Sequence, residues 1–132
     1  MSDSHIAEMN VVLCGLEAPL AAQLTEAVSR FANVRHVRSA ASIPECVGYV
    51  ERTGAGVVFC GADPRHYCAL LKALKRRSLK PNVVVASRLP DVSAWLHALE
   101  HGAANYCAAP FEARDIRWIL EAALGAWPVV FV

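Results

Sequence analysis

This sequence predicts an α/β fold, a doubly wound parallel sheet with helices on both faces. Three observations carry that expectation. The apolar runs at 11–14, 57–60 and 83–86 are short and rich in β-branched or aromatic side chains, which marks buried strands rather than helices. Strand candidates starting at 11, 34, 57, 83 and 104 are separated by helical patterns throughout. A hydrophobic fraction of 55% suits strands that are apolar on both sides because helices cover both faces.

The elements follow in order. Val11-Val12-Leu13-Cys14 is the first strand. Leu20, Leu24, Val28 and Phe31 share one face of a first helix, with Pro19 suited to its first turn. Residues 34–37 form a weaker second strand. Ser42 is an N-cap for a second helix, with Pro44 and Glu45 in the first turn and Ile43, Val47 and Val50 on its apolar face. Val57-Val58-Phe59-Cys60 is the third strand. Leu70, Leu71 and Leu74 mark a third helix ending in Lys75-Arg76-Arg77, where cations complement the helix dipole. Val83-Val84-Val85-Ala86 is the fourth strand. Asp91 caps a fourth helix, with Trp95, Leu96 and Leu99 expected inward and Gly102 as the stop. Residues 104–107 form the fifth strand. Ile116, Ile119, Leu120 and Leu124 mark the fifth helix. Short loops between such units imply right-handed crossovers and a parallel sheet. Chemistry in such sheets gathers at the carboxyl ends of the strands.

A chain of 132 residues holds one domain with a real core. We expect residues 10–125 to form it, between a flexible polar segment at 1–9 and an apolar tail at 126–132. Such a tail is expected to fold back, add a strand to a neighbour or pack in a dimer. The longest apolar stretches fall well short of the roughly 20 residues of a membrane span, and no signal-peptide core opens the chain. A formal net charge of +1 gives no strong pull toward nucleic acid or membrane. Five cysteines fit no disulfide or zinc framework, so a cytoplasmic location is expected.

The strand ends are the informative part. Ser87 closes the fourth strand, and Gly102-Ala103-Ala104-Asn105-Tyr106-Cys107-Ala108-Ala109-Pro110-Phe111 follows fifteen residues on. This stretch resembles the end of a response-regulator receiver domain, and the likeness extends over about residues 10–124. The resemblance implies a five-stranded, flavodoxin-like three-layer sandwich with strand order 2-1-3-4-5. It also implies a role in two-component phosphorelay signalling. In that family the first strand ends in acids that hold Mg²⁺. The corresponding positions here are Gly15 and Leu16, with Glu17 one position late. The family's phosphoacceptor aspartate falls at Gly61, and Asp63 stands two residues on. Ser87 matches the hydroxyl residue that bonds the phosphoryl group, and Tyr106 matches the aromatic switch residue. Ala109 takes the place of the family's lysine, while Pro110 is retained, which suits a cis bond.

Both acids, the acceptor and the lysine are thus replaced at their expected positions. Phosphoryl transfer depends on positioning and charge neutralisation, and a glycine and a leucine offer Mg²⁺ no side-chain oxygen. The resulting expectation is a degenerate receiver: not an enzyme, with no metal or cofactor, binding another signalling protein or itself through helix 4, strand 5 and helix 5. Trp95 and Trp118 are placed on that face, either as hot-spot residues or as core. Two alternatives stay open. One is an active phosphoacceptor using Asp63 or Glu17 in a shifted site. The other is a flavodoxin-like small-molecule binder over Gly15 and Gly61, which would need a sizeable pocket there.

Other clusters have plainer readings. Cys14, Cys60 and Cys107 end three strands and either converge as thiols or fill core positions. His97 and His101 lie one helical turn apart, a metal-compatible spacing without an obvious third ligand, and a solvated helix face is favoured. Lys72, Lys75, Arg76, Arg77 and Lys80 read as a solvated helix end rather than a nucleic-acid surface.

Overall fold

The computed structural model describes residues 8–124. The apolar tail expected at 126–132, and all but the end of the flexible segment expected at 1–9, lie outside them.

Five strands alternate with five helices: β1 (Met9–Cys14), α1 (Ala18–Ser29), β2 (Val34–Ala40), α2 (Ile43–Thr53), β3 (Val57–Gly61), α3 (Pro64–Arg76), β4 (Asn82–Ser87), α4 (Val92–Glu100), β5 (Asn105–Ala108) and α5 (Ala113–Ala123). All neighbouring strands are parallel, in the order β2-β1-β3-β4-β5. The registers Cys14↔Cys60 and Gly61↔Ala86 bring the carboxyl ends of β1, β3 and β4 to one rim. The order reverses at β1, so β1 and β3 flank the topological switch point where such sheets place their sites.

The expected strands are all present, with some ends moved. β1 opens at Met9, which is buried. β2 runs on to Ala40 as an edge strand whose outward residues are Arg35, His36, Arg38 and Ser39. The central strands are apolar on both sides. Val12, Val58 and Val85 face one core layer, under α2, α3 and α4. Val11, Leu13, Phe59 and Val84 face the other, with Leu24 of α1 and Ile116 of α5.

Helix starts follow their capping residues. Ser42 Oγ accepts from the Glu45 amide at 3.2 Å, and the Glu45 carboxylate reaches back to the Ala41 amide at 2.5 Å. This reciprocal pair satisfies two otherwise orphaned donors. Asp91 accepts from the Ala94 amide at 3.2 Å.

One expectation about α4 is overturned. Trp95, Leu96 and Leu99 do not point inward: they are 43%, 52% and 37% exposed, and Ala98 is the buried residue of this helix. The reason lies in α3. The Tyr67 ring is fully buried in the layer that α4 covers, and its hydroxyl hydrogen-bonds His97 Nδ1. With that volume filled, the small side chain of Ala98 seats the helix and its larger apolar residues turn outward. His97 is accordingly half-buried and partnered, not part of a freely solvated face, and His101 stacks on it with ring centroids 4.1 Å apart.

Candidate functional site

The turn after β1 and the end of β3 meet closely at the rim. A Cβ added at Gly61 would lie 2.5 Å from the Gly15 carbonyl oxygen, a distance that a side chain cannot occupy without moving backbone. Gly15 itself has φ +71°, and a Cβ there would collide with the His66 imidazole. Glycine is the residue that tolerates this left-handed backbone and this closeness. The rim around Gly15 is therefore filled by backbone and by the ring of His66, from the first turn of α3.

A cleft of about 280 Å³ remains beside these glycines. Gly15, Leu16 and Gly61 line it together with Ser87, and so do both candidate acids, Glu17 and Asp63. Each acid has another partner. The Asp63 carboxylate accepts from the Arg65 amide at 3.0 Å and caps α3. The Glu17 carboxylate lies 3.7 Å from Arg88 across the mouth of the cleft, an exposed pair of small energetic worth. Asp63→Ala is expected to lose about 1 kcal/mol of stability through the cap, measured by urea unfolding. Among the described residues no group of three or more His, Cys, Asp or Glu is placed to hold a metal ion. The cleft lies at the small end of the roughly 300–1,000 Å³ typical of small-molecule sites.

Ser87 and Tyr106 are joined. The Ser87 hydroxyl donates to the Leu89 carbonyl oxygen at 2.7 Å, and the Tyr106 hydroxyl lies 2.7 Å from Ser87 Oγ. The parallel register Val85↔Tyr106 brings the two residues to the same end of β4 and β5. Tyr106 is half-buried, with its hydroxyl turned toward the rim. Ala109 continues the β4–β5 pairing through its amide to Ser87 O at 2.9 Å, and the Ala109–Pro110 peptide is cis. Leu89, the common acceptor, gives no sequence signal because its backbone makes the contact.

The cysteines separate. Cys14 and Cys60 face the α2–α3 layer, whereas Cys107 belongs to the opposite layer, so the three do not converge. Period-two alternation along strands decides this. The Cys14 thiol lies 3.8 Å from the Ser42 carbonyl oxygen and 3.8 Å from His66 Nε2, contacts not foreseen from spacing. A hydrogen bond from Cys46 lowers the Cys14 pKa and raises that of Cys46. Burial pushes Cys60 and Cys107 up to about 12, so both remain neutral thiols at physiological pH.

The second notable surface lies around α4, β5 and α5. A cavity of about 680 Å³ there is lined by Trp95, Tyr106, Arg114, Asp115 and Trp118, among others. Trp118 is 53% exposed, and Leu89, Val92 and Leu96 add exposed apolar area alongside Trp95. The spacing of Val92, Trp95, Leu96 and Leu99 is one helical stripe, and it faces outward. This resolves the open choice for the two tryptophans toward the surface.

No family model matches the chain, and no curated protein matches it. Solved structures do. The signal receiver domain of the putative response regulator NarL from Mycobacterium tuberculosis is 20% identical with a TM-score of 0.73, covering 90% of this chain and 98% of that one. The receiver domain of NtrX from Brucella abortus is 18% identical with a TM-score of 0.73, covering 89% and 99%. A CheY-like protein (tadZ) from Pseudomonas aeruginosa PAO1 is 20% identical with a TM-score of 0.72, covering 88% and 99%. The chain therefore has the flavodoxin-like receiver fold. Among the described residues no helix is long and apolar enough to cross a membrane.

Proposed function

We propose that this receiver-fold chain is a degenerate response-regulator receiver, a non-enzymatic protein-interaction module of two-component signalling that is not phosphorylated by the Mg²⁺-dependent route. The observation that carries this reading is the closed rim. Gly15 and Gly61 stand where metal ligand and acceptor are expected, and the space a side chain would need at either is already taken by the Gly15 carbonyl and the His66 ring. Alanine at 109 removes the point charge that would pair with a phosphoryl group. Asp63, the alternative acceptor, is held as the α3 cap.

The interaction role rests on the outward apolar stripe of α4 with Trp118 across the cavity from Trp95. Contiguous exposed apolar area of this kind marks interaction sites. The Ser87–Tyr106 contact leaves the rim mechanically linked to this face, as the remnant of a switch. The partner is another signalling protein or a second copy of this chain, met in the cytoplasm, with no nucleic acid involved.

Incubation with acetyl phosphate and Mg²⁺, followed by intact-protein mass spectrometry, tests the first half of the reading. The mass is expected to remain that of the unmodified chain. A stable phosphoryl adduct that maps to Asp63 and disappears in Asp63→Ala would replace this reading with the active-receiver alternative.

A further inference from the structure

At the opposite end of the strands from the rim, α3 and α4 end beside the first residues of β4 and β5 and border an open groove of about 950 Å³. Its accessible floor is partly apolar: Cys68, Leu71 and Leu79 are partly exposed there, above the buried Leu74 and Val83. Its rim is cationic. Lys72, Lys75 and Lys80 line it, and no aspartate or glutamate does. Two helix ends carry roughly one negative charge between them, so three lysines exceed what the dipoles of α3 and α4 need. The nearby Arg77 is already matched by Glu51 at 2.7 Å, whereas no salt bridge engages the three lysines among the described residues.

The backbone adds a second indication. The end of α3 is closed by Ser78 N–H to Lys75 O and Leu79 N–H to Leu74 O, both 3.0 Å. Ser78 takes φ +56° there, a position where glycine or asparagine is the ordinary choice and another residue carries backbone strain. The side chain retained despite that strain is a hydroxyl that lines the groove.

We infer that this groove binds a small organic anion, an apolar body carrying a phosphate, sulfonate or carboxylate. The body would rest on Cys68, Leu71 and Leu79. The charged group would lie at the rim formed by Lys75, Lys80 and Ser78. A groove of this volume falls in the range that small ligands occupy, and charge-assisted hydrogen bonds to a lysine rim fix polarity. The inference is independent of whether the rim near Gly61 is phosphorylated.

The test uses 8-anilinonaphthalene-1-sulfonate as the probe, with fluorescence titration and amide chemical-shift mapping on the full chain. Laurate and AMP serve as competitors that separate a chain-like body from a ring-like one. Saturable one-to-one binding is expected, with shifts centred on Lys75, Ser78, Leu79 and Gly102. Lys75→Gln with Lys80→Gln is expected to weaken it about tenfold or more, while Leu96→Asp on α4 leaves it unchanged. Displacement by either competitor identifies the body. Binding that survives the double lysine variant, or that Leu96→Asp abolishes, places the probe on the α4 face and overturns the inference. Thermal melting of the variants, all exposed substitutions, checks that each is folded.

Discussion

Gly61→Asp, which puts an aspartate where the proposed function places the acceptor of the receiver family, is expected to destabilise the protein by about 3 kcal/mol and to gain no phosphorylation. The cause is local. The new Cβ meets the Gly15 carbonyl oxygen at 2.5 Å, so either the turn after β1 or the end of β3 must move. Both belong to strands paired at Cys14↔Cys60, which leaves little freedom to yield. Thermal melting is the direct readout, with a fall in Tm of roughly 10 °C for a domain of this size. The chemical expectation is equally definite. An aspartate at 61 would still face glycine and leucine at 15 and 16, so Mg²⁺ would lack its ligands. A Gly61→Asp protein that melts as the parent does and accepts phosphate from acetyl phosphate would show that the rim is not closed.

Trp95→Ala and Trp118→Ala are each expected to weaken association through the α4–β5–α5 face by about 2 kcal/mol, roughly 30-fold in Kd. Each ring is about half exposed, Trp95 at 43% and Trp118 at 53%, so each truncation also costs some stability through lost burial, which is read separately from association. Sedimentation velocity over a concentration series reads the self-association, calorimetric titration reads binding to a partner signalling protein, and thermal melting reads the fold. Unchanged association in both tryptophan variants would remove this face as the interaction surface.

Local rules were sufficient for much of this molecule. Ser42, Asp91 and Pro19 each occur where a helix begins, because capping chemistry acts over three or four residues and is written in neighbouring positions. The strands 57–61 and 82–87 were legible because their β-branched runs are buried on both sides whatever packs above them. Strand ends were less so. β2 continues to Ala40 through Arg38 and Ser39, since an edge strand needs one partner and little burial.

The face that α4 buries was not legible. Its apolar stripe obeys the helical period, and period alone assigns such a stripe inward. The orientation depends on Tyr67, 30 positions from His97 in sequence, filling the layer beneath.

The sequence by itself determined the parallel α/β fold and the order of its elements, because these follow from residue type and short-range pattern. Tertiary structure decided that the end of β3 meets the Gly15 carbonyl too closely for a side chain at 61, that Ser87 meets Tyr106, that Cys107 lies in the layer opposite Cys14 and Cys60, and that α4 shows its apolar side to solvent. Each of these is a contact between distant segments, set by which volumes remain once the sheet has formed.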